Sequence, residues 1–170
     1  NPYGPVYVIF GQKNTTNIDL STMTYAQGFS ITGVGGWYIG MSVGSAGDIN
    51  RDGYSDIMIA GSSYVYIIFG KSSVANINIG FSEMPTSIGF TINGASNRVS
   101  VNKAGDVNGD GINDVIIGAQ YVDLSFRSNA GAAYIVFGRS SGLNNIDLVR
   151  FTSTQGIQDY GAASGDNLGY

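Results

Sequence analysis

The run Val6-Tyr7-Val8-Ile9-Phe10-Gly11 returns as Val65-Tyr66-Ile67-Ile68-Phe69-Gly70 and again as Ala133-Tyr134-Ile135-Val136-Phe137-Gly138. A chain that repeats itself at this period must stack copies of one supersecondary unit, because a single unit cannot bury its apolar side alone. Equivalent Phe-Gly pairs lie 59 and then 68 residues apart. After each pair come a polar stretch and a small apolar cluster: Asn17-Ile18-Asp19-Leu20, Asn76-Ile77-Asn78-Ile79 and Asn145-Ile146-Asp147-Leu148. Next stands Gly28-Phe29-Ser30-Ile31-Thr32-Gly33, matched by Gly89-Phe90-Thr91-Ile92-Asn93-Gly94 and loosely by Gly156-Ile157, with the period-2 alternation of a strand.

Gly40-Met41-Ser42-Val43 and the β-branched run Ile57-Met58-Ile59-Ala60, repeated as Val115-Ile116-Ile117-Gly118, complete the unit, and the latter runs predict fully buried strands. Four short strands per unit and no sustained helical spacing predict an all-β chain of propeller-type, four-stranded antiparallel blades. About two blades are expected complete and two as halves, within one repeat region, 1–170. The divisions expected are 1–27, 28–89, 90–155 and 156–170. The longer second spacing comes mainly from Tyr121 to Asn129, expected as an exposed loop.

Inside the units, Asp48-Ile49-Asn50-Arg51-Asp52-Gly53-Tyr54-Ser55-Asp56 returns as Asp106-Val107-Asn108-Gly109-Asp110-Gly111-Ile112-Asn113-Asp114. Both read D-x-N-x-D-G-x-x-D. Oxygen-bearing side chains fall at Asp48, Asn50, Asp52 and Asp56 and at Asp106, Asn108, Asp110 and Asp114. A glycine allows the sharp turn, and the main-chain carbonyls of Tyr54 and Ile112 are expected to point inward. Three carboxylates in so short a loop repel one another by several kcal/mol at an intermediate dielectric. A hard cation with six to eight oxygen ligands removes that cost, so two calcium sites are expected. An ordinary Asn/Asp/Gly turn is the plainer alternative, and two copies in matching contexts weigh against it. The loops are not EF-hands: position 12 is Ile59 or Ile117 rather than glutamate, and strands rather than helices follow.

Six of the twelve acidic residues lie in these loops, so the net charge of −4 is mostly cation-binding charge. The eight Lys and Arg are scattered singly, which argues against nucleic acid as a partner. Cysteine and histidine are absent, excluding disulfides, thiolate or imidazole zinc sites and histidine-dependent triads within this chain. No apolar run approaches the roughly 20 residues of a membrane helix. Loops of this type fill most readily outside the cell, where calcium is about millimolar.

These residues resemble the FG-GAP repeats of integrin α-subunit β-propellers and, more closely, the FG-GAP arrays of secreted bacterial and protist proteins. Ile39-Gly40-Met41 and Leu168-Gly169-Tyr170 carry the Phe/Leu-Gly element, Gly47-Asp48 and Gly105-Asp106 open the loops, and Gly118-Ala119-Gln120 carries the closing element with glutamine in place of proline. The first unit has Ala60-Gly61-Ser62 there, and the second has Asn97-Arg98 where Phe-Gly is usual. The resemblance implies a propeller-type blade with structural calcium, serving adhesion or an extracellular scaffold, and no catalytic residues.

The expected function is therefore a non-enzymatic, secreted or cell-surface module, with further copies or further repeats completing its half blades. The alternatives are binding of a glycan or protein ligand, with Trp37-Tyr38 beside Gly35-Gly36 as a stacking platform, or a non-catalytic propeller portion of a secreted lyase or phospholipase. The tyrosines Tyr7, Tyr66 and Tyr134 are expected to pack between blades. Spare acids such as Asp123, Asp159 and Asp166 have no recognisable catalytic partner, and Asn14-Thr15-Thr16 forms a glycosylation sequon.

Overall fold

The computed structural model describes residues 4–13, 17–33, 39–62, 64–73, 75–79, 84–95 and 98–169. Trp37 and Tyr38, the sequon at Asn14, Asn97 and Tyr170 lie outside them. The described elements are strands apart from one 3-10 turn at Leu148–Arg150.

The described residues form three sheets, none of them closed. In the first, β1 (Val6–Ile9) and β2 (Gly28–Gly33) run antiparallel. The second is a complete blade of β3 (Ile39–Gly47), β4 (Asp56–Gly61), β5 (Tyr64–Ile68) and β7 (Gly89–Asn93). The third repeats it with β8 (Val99–Gly105), β9 (Asp114–Ala119), β10 (Ala132–Val136) and β12 (Gly156–Tyr160). The sequence unit that starts at Gly28 thus opens on the outer strand of one sheet and continues into the next, so neighbouring blades share a unit of sequence.

A fifth short strand per unit crosses between blades. β6 (Ile77–Ile79) leaves the second sheet and pairs in parallel with β2, Ile31 opposite Ile77. β11 (Ile146–Asp147) leaves the third and pairs in parallel with β7, Ile92 opposite Ile146. The asparagine before each strand fastens it: the Asn76 side-chain oxygen accepts the Ser30 N–H at 3.0 Å, and that of Asn145 accepts the Thr91 N–H at 2.9 Å.

The strand alternation explains the two cores. On β5, Tyr66 and Ile68 face the first sheet, packing with Phe29, Ile31, Ile59 and Ile77. Val65 and Ile67 face the third sheet, packing with Met58, Phe90, Ile92, Tyr134 and Val136. The middle blade is therefore buried on both sides. Tyr66 and Tyr134 do pack between blades, each 3% exposed, whereas Tyr7 is 37% exposed because among the described residues no sheet covers its side of β1. For the same reason Ile116 on β9, expected to be fully buried, is 38% exposed. The insertion at 121–129 forms an exposed excursion bridged at Leu124 and Arg127, with Phe126 at its tip.

Candidate metal centre

Both acidic loops are turns between the first two strands of a complete blade, the closing aspartate being the first residue of β4 or β9. Gly53 and Gly111 adopt φ of +89° and +83°, the left-handed conformation in which a side chain is costly, so the sharp turn expected at position 6 is made there. Position 4 is also left-handed, with glycine in one loop (Gly109, φ +78°) and Arg51 in the other (φ +59°).

Within each loop the backbone wraps around the carboxylates. Asp48 accepts the N–H groups of Asp52 and Gly53 at 2.9 and 3.0 Å, and Asp52 accepts that of Tyr54 at 2.9 Å. The Asn50 amide donates to Asp52 at 2.8 Å while its oxygen accepts the Asp52 N–H at 3.0 Å. The second loop repeats this: Asp106 accepts from Gly109, Asp110 and Gly111, Asp110 accepts from Ile112, and the Asn108 amide donates to Asp110 at 2.9 Å.

The closing aspartates are held from further away. Asp56 accepts the Ile49 N–H at 2.8 Å and the Gly70 N–H at 2.8 Å; Asp114 accepts those of Val107 at 2.7 Å and Gly138 at 2.9 Å. The glycines of the second and third Phe-Gly pairs, Gly70 and Gly138, thus clamp the end of their own blade's loop. Sequence reasoning did not assign this role, although the recurrence of Phe-Gly after every third strand was the available signal. A Cβ at Gly70 would lie 2.4 Å from the Ser55 carbonyl oxygen, and one at Gly138 2.2 Å from that of Asn113, so no side chain fits there.

Asp56 and Asp114 are 1% and 0% exposed, and among the described residues their hydrogen bonds come from backbone N–H groups alone. Burial pushes the Asp56 carboxyl up to about 6, opposed by the Gly70 and Ile49 N–H bonds, with the charges of Asp52 and Asp48 raising it further. Asp106, Asn108 and Asp110 lie exposed at the surface, open to solvent ions. Of the spare acids, two serve turns, Asp123 accepting the Asn129 N–H at 2.7 Å and Asp166 the Ala163 N–H at 2.8 Å, while Asp159 lies on β12.

Among the described residues no three carboxylates converge closely enough to make a metal site by themselves. A cation held here would need mixed donors, for which the sequence offers the carboxylates Asp48, Asp52 and Asp56, the Asn50 amide oxygen and the Tyr54 carbonyl, with Asp106, Asp110, Asp114, Asn108 and Ile112 as the second set. Each carboxylate accepts only two or three N–H bonds and keeps a lone pair for another partner. All-oxygen donors of this kind suit a hard divalent ion.

Blades of this order, with strand-flanked acidic loops at one end, define a β-propeller-like module. The FG-GAP repeat family matches residues 104–136 and an FG-GAP-like repeat family matches residues 48–117, together more than half of the chain. Residues 48–136 therefore carry FG-GAP repeats. Repeats of this family are generally non-catalytic and typical of extracellular proteins, and among the described residues no helix is long and apolar enough to cross a membrane.

Proposed function

We propose that this chain is a calcium-stabilised structural or adhesive module that works outside the cell. The observation that carries the reading is the pair of buried aspartates, Asp56 and Asp114, which close acidic loops and have, among the described residues, only backbone N–H groups as partners. Buried carboxylates with no basic partner cost stability, and a divalent ion among their neighbours reverses the sign of that cost. When bound, calcium supplies the charge that the protein lacks there. The chain's own part is to preset the carboxylates through the N–H bonds of its turns and of Gly70 and Gly138.

The metal's role on this reading is mechanical, tying the loop end of each blade. Calorimetric titration with calcium is expected to give two sites, and saturating calcium at about 100 times Kd is expected to add about 2.7 kcal/mol per site to stability. The Asp52→Asn/Asp110→Asn double variant is expected to lose both effects. Absence of binding heat, with melting indifferent to calcium or chelator, would overturn the proposal.

A further inference from the structure

We infer that the third blade holds a carboxylate-binding site, built from Arg98 and Gln120 at the end of the blade opposite its acidic loop. The site needs no calcium, and it gives the module a class of ligand beyond the structural role proposed above.

Both residues depart from the repeat. Arg98 falls where the other two units carry Gly40 and Gly169, and Gln120 falls where the first unit carries Ser62. The strand register brings the two departures together. Val99 on β8 stands opposite Ala119 on β9, so Arg98 and Gln120, the next positions outward, sit side by side at the ends of the two strands. The acidic loop joins β8 to β9 at their other ends, a strand length away.

Each departure carries a cost that the fold does not explain. Gly40 and Gly169 have φ of +84° and +93°, and Arg98 keeps the left-handed conformation at +63°, where a side chain strains the backbone. Gln120 is 5% exposed, and among the described residues its side-chain amide has no hydrogen-bond partner. A buried amide without a partner opposes folding, and native structures keep few of them. Strain and unpaired polar groups of this kind gather at binding sites, where a ligand uses them.

The two side chains share one open cavity of about 320 Å³. It lies between β3 and β8, the first strands of two adjacent blades, and Ser42 and Ser100 bring hydroxyls to its wall. The Ser100 hydroxyl already donates to the Gly169 carbonyl at 3.2 Å. Among the described residues no carboxylate lines the cavity. The guanidinium carbon of Arg98 lies 5.9 Å from the centre of the Tyr121 ring, a cation–π contact that steadies the planar group and leaves its N–H donors uncommitted. A steadied cation, an uncommitted amide and no anion nearby complement a carboxylate, whose two oxygens match the guanidinium fork.

The test is an NMR titration of the 170-residue chain with N-acetylglutamate amide. The side-chain N–H signals of Gln120 and Arg98 are expected to shift saturably, and the neutral N-acetylglutamine amide is expected to move neither. Arg98→Gly, which copies Gly40, and Gln120→Met, which keeps the volume without the amide, are each expected to weaken binding by roughly tenfold or more, because a hydrogen bond to a charged group is worth about that factor. Both variants are expected to melt at or above wild type, since each removes a cost from the unliganded fold. Competition by acetate assigns the source: displacement at equal concentration supports the site as one for a free acid, and resistance supports it as one for an acidic side chain on a polypeptide. Equal shifts with the neutral probe, binding unchanged in both variants, or variants that melt below wild type would overturn the inference. In chelator the same shifts are expected, so failure of calcium binding leaves this test standing.

Discussion

The side-chain oxygen of Asn113 accepts the backbone N–H of Asp48 at 3.1 Å, joining the second acidic loop to the first residue of the other. A second tie runs beside it, from the Arg139 N–H to the Ile49 carbonyl at 3.0 Å. The two loops are therefore one mechanical unit spanning adjacent blades. Asn113→Ala is expected to cost about 1 kcal/mol in urea denaturation. The measurement to pair with it is calcium affinity at the loop opened by Asp48, which is expected to fall while the second loop keeps its own carboxylates.

The Phe-Gly glycines differ sharply in what surrounds them. Gly138→Ala would drive a methyl group to 2.2 Å from the Asn113 carbonyl and strain the N–H bond to Asp114. A loss of roughly 1–3 kcal/mol is expected in thermal or urea unfolding. At Gly11, the equivalent glycine of the first sheet, a methyl group would meet nothing within 4 Å, so Gly11→Ala is expected to be neutral.

Asp56 supplies a pH dependence whose sign depends on the metal. Its carboxyl is raised from 3.8 to about 6, so between those values the folded chain binds the proton and the unfolded chain has released it. In chelator the Asp56 contribution to stability is therefore present below about pH 4, falls as pH rises toward 6, and stays lost above. Melting of wild type minus Asp56→Asn across about pH 4 to 7 isolates this slope. With calcium the slope is expected to reverse, because the ion competes with the proton for the same oxygens.

Asn145 and Asn17 are the same residue of the repeat in different surroundings. Asn145→Ala leaves the N–H of Thr91, a residue only 2% exposed, without its acceptor, and is expected to cost about 1–3 kcal/mol in unfolding experiments. At the exposed Asn17 the same change is expected to leave unfolding unchanged.

Much of this was legible in the chain. Val65 to Phe69 is a short apolar run that returns at a fixed interval, which is enough to predict a strand in a stacked all-β array. The spacing of Asp48, Asn50, Asp52 and Asp56 about Gly53 was enough to predict a sharp acidic turn that ends at the start of a strand, because local turn geometry follows from nine consecutive residues. The destination of Ile77 and Ile146 was not legible. Both follow the Phe-Gly strand of their own blade, yet each adds to the sheet before it, a pairing set by how blades stack rather than by any local preference. Nor did Gly138 announce itself as the clamp on Asp114, since the two lie 24 residues apart across a loop of variable length.

By itself the sequence determined the strands, the repeat and the ligand-type residues of the loops, all properties of short stretches. Only the tertiary structure decided which faces are covered, which edge each short strand takes and which backbone N–H holds each buried carboxylate. Those depend on close packing between segments far apart in the chain, where a glycine is chosen for the space that a neighbouring carbonyl occupies.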